Sequence, residues 1–186
     1  MGIPTLIKTE TASNSAALAF VDGASSVVLD STYDEYMFVF TDIGPATDGA
    51  NFTFQVNATD DAGGDYDTSL ITSTNFVATH GEDGSNGRIE YVTAGDLAQS
   101  TSYQPLGLYI GSDSDESYSG ILNLYAPSST TYVKHFTSTG NLCSSSAYTR
   151  NPYVAGYIDD TTAIDEIQFK MSSGNFDGVI QLYGIA

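Results

Sequence analysis

The stretch that decides the fold is IQFKMSSGNFDGVIQLYGIA, residues 167–186. In Ile167-Gln168-Phe169-Lys170-Met171 the apolar side chains fall on every second position, which is the period of a half-buried β-strand. Ser172 to Gly178 supplies Ser, Gly, Asn and Asp, residues that favour reversals, and Val179 to Ile185 resumes as a second strand. The unit reads as a β-hairpin with a longer loop. A strand that runs to the last residue is expected to be tied into a sheet, because an untethered terminus frays.

The same alternation recurs upstream. Tyr36, Phe38 and Phe40 share one face of a strand, Gly44-Pro45-Ala46-Thr47-Asp48-Gly49 turns the chain, and Phe52, Phe54 and Val56 face one way on the return. That too reads as a hairpin. Further strands are expected at Ala17 to Phe20, Ser26 to Leu29, Thr74 to Ala78, Ile89 to Thr93, Leu106 to Ile110, Gly120 to Tyr125, Thr131 to Thr137 and Val154 to Ile158. No stretch carries apolar residues at helical spacing over three turns, and one short helical turn around Thr93 to Gln99 is the most the pattern allows. The fold class is therefore all-β: a single-domain, jelly-roll-like antiparallel β-sandwich of roughly eight to ten strands with little helix. An immunoglobulin-like sandwich would normally show a buried Trp and a cysteine pair, whereas this chain has no Trp and one Cys. Residues 1–30 are expected to form an N-terminal arm or edge strand, and residues 31–186 the sandwich. Such a segment is expected to cover its own sandwich, the alternative being an arm that adds itself to a neighbour's sheet.

The chain has 186 residues, enough to bury a core without disulfides. Five basic residues, Lys8, Arg88, Lys134, Arg150 and Lys170, stand against 23 acidic ones, for a formal net charge of -18. Counterion release from nucleic acid needs Lys and Arg that are missing here, so a nucleic-acid partner is excluded, and an anionic membrane face is disfavoured for the same reason. Met1 to Lys8 lacks the basic start and apolar run of a secretory signal, and no span-length apolar stretch follows. The expectation is a product made in a cytoplasm.

Few residues offer chemistry. His80 precedes an acidic Gly-rich loop, and His135 lies mid-strand, where a partly buried structural imidazole is the ordinary reading. The Gly-x-Ser-x-Gly elbow, His-Glu-x-x-His and the phosphate-cradling Gly-Lys-Ser/Thr loop are all missing. Cys143, in a polar run, reads as a structural or surface thiol. Carboxylates crowd two loops, Asp60, Asp61, Asp65 and Asp67 with Asn57 in one, and Asp113, Asp115 and Glu116 in the other. The second fails as an EF-hand because Tyr118 replaces the turn glycine and Leu124 the bidentate Glu, so both read as solvated acidic loops. No catalytic, cofactor-binding or metal-ligating residue is assigned, and no cofactor is expected. The thirteen tyrosines suit half-wet sheet faces and could also stack on a sugar ring.

Tyr33 to Phe40, Ile43 to Asp48, Phe52 to Gln55, Asp96 to Thr101, Pro127 to Phe136 and Ile167 to Gly184 together resemble a set of small proteins encoded by tailed bacteriophages, many of them marine. The similarity runs from about residue 30 onward. What the resemblance implies is a virion structural protein, and no catalytic residue comes with it. Compactness, with no heptad seam or repeat for a shaft, favours a capsid decoration or cement protein over a tail-fibre or receptor-binding module for a host-surface glycan. A carbohydrate-active enzyme is the remote alternative. The expected partners are other copies of the chain, three-fold association being common for jelly-roll virion parts, and the major capsid protein or another virion protein. The expected location is the exterior of a particle assembled in the host cytoplasm.

Overall fold

The computed structural model describes residues 2–66 and 68–186. Among them are twelve strands and no helix: β1 (Thr5–Ser15), β2 (Leu18–Val21), β3 (Glu35–Pro45), β4 (Ala50–Ala58), β5 (Ile71–Gly81), β6 (Arg88–Tyr91), β7 (Gln104–Ile110), β8 (Tyr118–Tyr125), β9 (Lys134–Ser144), β10 (Tyr148–Ile158), β11 (Ile164–Met171) and β12 (Phe176–Ile185). Every pairing is antiparallel.

Eight of these strands make two four-stranded layers, in the orders β1-β12-β3-β8 and β2-β11-β4-β7. Successive strands of this set alternate between the layers except β4 and β7, which pair side by side in the second, the interleaving of a jelly roll. The remaining strands extend the first layer past β8 through β9, β10, β5 and β6. At the far end of β9, Ser144 pairs with Ile110 of β7, which joins the layers at one corner and nearly closes them into a barrel.

Both reversals expected to be hairpins are arches instead. β11 bonds to β4 and β2, while β12 bonds to β1 and β3. Likewise β3 bonds to β12 and β8, and β4 to β11 and β7. The cause lies in the rings on each strand. A hairpin sets two apolar faces side by side in one sheet, whereas an arch makes them confront each other across the core. Phe40 meets Phe52 at 5.1 Å between centroids, and Phe52 meets Phe176 at 6.0 Å. The two arches lie together, with the Ala46 amide donating to the Asn175 carbonyl at 2.8 Å.

The core between the layers is aromatic. Phe169 sits against Phe38 and Phe40, each at 5.2 Å, and Phe54 against Phe136 at 5.1 Å. Such edge-on and tilted pairs each add about 0.5–1.5 kcal/mol beyond their area burial. Inward Tyr36, Phe38 and Phe40 alternate with half-exposed Met37 and Val39, as the strand period requires. Residues 5–21, within the segment expected as arm or edge strand, provide β1 and β2, the outermost strands of their layers. Ser26 to Leu29 is irregular rather than extended, although Val27 and Leu29 are buried and the Leu29 amide donates to Asp22 at 2.8 Å. Thr93 to Gln99 makes turns and no helix.

The second layer is covered on both faces. Along β4 the outward Thr53, Gln55 and Asn57 are as buried as the inward Phe54 and Val56, because the loops after β4 and β6 lie across them. The Gln55 amide donates to the carbonyls of Ser69, Thr101 and Ser102. Tyr66 donates to Glu166 at 2.8 Å, and Tyr103 to Gln168 at 2.7 Å. The extended first layer alone presents an open sheet face to solvent, and that face holds the candidate site.

Candidate functional site

Strand register builds a groove on the open face. One row across it reads Tyr91 (β6), Phe76 (β5), Tyr153 (β10), Thr139 (β9) and Ile121 (β8). The next row reads Thr74, Ala155, Thr137 and Asn123 on β5, β10, β9 and β8. Tall rings at one end of the first row therefore stand beside short side chains on the floor of both. The resulting cavity holds about 310 Å³.

Phe76 and Tyr153 are 44% and 42% exposed, and their rings stack in parallel, 5.0 Å apart with an 8° interplanar angle. None of the lining side chains is charged. On the side opposite the rings, Asn123 carries a buried amide oxygen with no hydrogen-bond partner. The Thr137 hydroxyl lies 3.2 Å from that of Tyr125. The arrangement offers stacking and neutral hydrogen bonding, with no group placed for proton transfer or nucleophilic attack.

The residues singled out by sequence lie elsewhere and apart. His80 pairs in register with Thr149 and His135 with Tyr157. At the rise of a strand those positions on β10 are about 27 Å apart, so the two imidazoles share no site. His135 is exposed, not partly buried, with its ring 6.3 Å from that of Tyr157. His80 lines a second hollow of about 290 Å³ with Glu82 and Cys143. The Cys143 sulfur is 3.7 Å from Glu116 and 4.0 Å from Glu82. Burial first, and then those carboxylates, push its thiol pKa up, which makes it a poor nucleophile.

Asp113, Asp115 and Glu116 line a shallow cleft of about 450 Å³ with Asp42 and Asp177. Among the described residues no three acidic, His or Cys side chains come together as a metal would require. In the other acidic loop, Asp60 and Asp61 accept hydrogen bonds from Thr162 and Thr68, Asn57 is buried on β4, and Asp67 lies outside the described residues.

Sequence reasoning did not single out Phe76, Tyr153 or Asn123. A signal was present in Phe76-Val77 and Tyr153-Val154, where an aromatic residue directly adjoins an apolar one. In a strand, two such neighbours cannot both face the core, so one ring of each pair had to be outside.

No family model matches the chain, and no curated protein matches it. Among solved structures, a chain from the structure of infectious bursal disease virus Gx strain aligns at a TM-score of 0.18 with 11% identity. The alignment covers 98% of this chain, which spans 41% of that one. A likeness that faint carries no argument.

Proposed function

We propose that the protein is a structural component of a tailed-bacteriophage virion, a decoration or cement subunit on the particle exterior. The observation that carries this reading is the free side of β1. This edge strand contains no proline and, among the described strands, pairs with β12 alone, in regular register from Lys8 to Ala12 with irregularities at either end, so the outer backbone groups of that middle stretch are free to pair with another chain. Leu6 is 50% exposed beside that edge and adds apolar contact. Docking there leaves the open face and the acidic loops in solvent, where like charge keeps particles apart.

Cryo-electron microscopy of purified particles, with the subunit identified by bound antibody fragments, tests the assignment. Copies arrayed on the capsid lattice, with β1 at the contact, are the expected result. Copies restricted to the tail, or a purified particle without the chain, would remove it.

A further inference from the structure

We infer that the groove walled by Phe76 and Tyr153 binds a neutral glycan, by stacking one pyranose ring and hydrogen-bonding its hydroxyls. The inference is independent of the decoration reading, since it concerns the open sheet face and not the edge that docks.

Three properties of the groove select this ligand class. Two large rings lie open on a surface where burial in the core was available one residue away, at Val77 and Val154. An exposed aromatic pair above a concave floor is apolar area kept uncovered, and a ligand that covers it gains the corresponding transfer free energy. The wall opposite is uncharged and mostly apolar, with a few polar groups set beside Ile121: the Asn123 amide and the hydroxyls of Thr137 and Thr139. A pyranose has both parts, an apolar C–H face for a ring and an equatorial rim of hydroxyls. The cavity, about 310 Å³, falls in the range of small-ligand sites.

The unpartnered acceptor separates a sugar from a proline-rich peptide, the other ligand that aromatic grooves take. Asn123 Oδ1 lacks a donor. That oxygen is buried as it stands, and once the side chain rotates toward the groove a pyranose offers it a hydroxyl from nearly every ring carbon, whereas a proline ring offers no donor at all. Charge narrows the class further. With no cation in the lining and a net charge of -18 on the whole chain, sialic acids and uronates are repelled.

The purified full chain is screened against immobilised neutral oligosaccharides, namely gluco-, manno-, galacto- and N-acetylglucosamine tetramers. Polygalacturonate and a proline-rich peptide serve as anionic and peptide probes. Titration calorimetry follows on any hit. Expected is binding to at least one neutral tetramer, weakened about tenfold or more by Tyr153→Ala and by Asn123→Ala, and unchanged by His80→Ala. Ala155→Leu, which fills the floor and leaves both rings in place, is expected to abolish binding with an unchanged urea midpoint. Absence of neutral-glycan binding at millimolar concentration overturns the inference. So does binding that survives Tyr153→Ala and Ala155→Leu, or preference for the uronate or the peptide. Failure of this test leaves the particle location untouched, and a tail-only location leaves the glycan site standing.

Discussion

Lys134 is the first residue of β9 and is fully buried, with its ammonium donating to the main-chain carbonyls of Asp160 and Thr162. Burial lowers its pKa, and the carboxylates of Asp160 and Asp60 oppose that shift. Lys134 therefore works as a strut that pins the loop after β10. Lys134→Met keeps the volume but strands two carbonyls, and we expect a loss of about 3 kcal/mol in urea unfolding. A loss below about 0.5 kcal/mol would deny it that role. Three buried phenols set the alkaline limit of the fold. Tyr36, whose hydroxyl donates to the Asp30 carbonyl at 2.8 Å, is pushed up to about 12 by burial and then by Asp30. Burial likewise raises Tyr66, aided by Glu166, and Tyr118. Below about pH 10 each phenol is protonated in both folded and unfolded chains, so the stability is intact. Above that, the unfolded chain releases protons first, and stability falls as pH rises toward the folded pKa values, by at most ~1.4 kcal/mol per pH unit per phenol. Urea midpoints at about pH 8 and about pH 11 are expected to differ accordingly. Tyr118→Phe removes a fully buried phenol whose polar neighbour is Ser138, so it should change the neutral midpoint little while shrinking the alkaline loss. An identical alkaline loss in that variant would count against burial as the cause.

The connections β3–β4 and β11–β12 each use four residues, 46–49 and 172–175, to carry the chain between layers. Gly174 has a φ of +71°, a left-handed conformation, and a Cβ there would run into the Thr47 side chain of the neighbouring arch. Gly174→Val combines strain with that collision, and a loss of about 2–3 kcal/mol is expected. Replacing 172–175 by the dipeptide Asn-Gly, which favours a tight hairpin, should abolish cooperative unfolding, because β11 and β12 would be drawn into one layer. A two-state transition with the native midpoint would show that the arch is dispensable. Strand existence was largely legible in the sequence: the inward sets Tyr36, Phe38, Phe40 and Phe52, Phe54, Val56 came from period-two alternation alone. Strand partners were not. Alternation says which face of a strand is apolar, and it is silent on whether the next apolar face lies beside it or opposite it. β1 was obscured for another reason. Its residues Thr9 to Ser15 are small and polar because an edge strand with mostly exposed side chains needs no apolar stripe, and main-chain bonds to β12 hold it. The groove was hidden by the same limit, since it needs the register of β5, β10, β9 and β8 at once.

Over the molecule as a whole, the five cations are already engaged. Lys134 is internal, Lys8 and Arg88 pair with Glu10 and Glu90 at 3.3 and 3.0 Å, Lys170 lies 3.7 Å from the Tyr103 ring centre, and Arg150 lies 5.3 Å from that of Tyr109. The surface field is thus acidic nearly everywhere, and compaction of 23 carboxylates into one domain is opposed by their mutual repulsion. The exposed ion pairs do little to offset it, being worth about 0–1 kcal/mol each. Salt acts on this term directly, since the screening length falls from about 30 Å at 0.01 M to about 3 Å at 1 M ionic strength. The urea midpoint is expected to rise steadily with sodium chloride over that range, most steeply at the dilute end. Acid-to-amide changes in the acidic cleft, such as Asp113→Asn with Asp115→Asn, should raise the midpoint at low salt and lose their effect at high salt. If the chain decorates a shell as proposed, the same screening should govern attachment, because neighbouring copies would bring acidic loops together while β1 would pair through neutral backbone groups. Binding of the purified chain to particles is then expected to strengthen with salt, opposite to the behaviour of a contact made by complementary charges. A midpoint that stays flat across the range, or attachment that weakens with salt, would mean that like-charge repulsion is not what limits this fold and its packing.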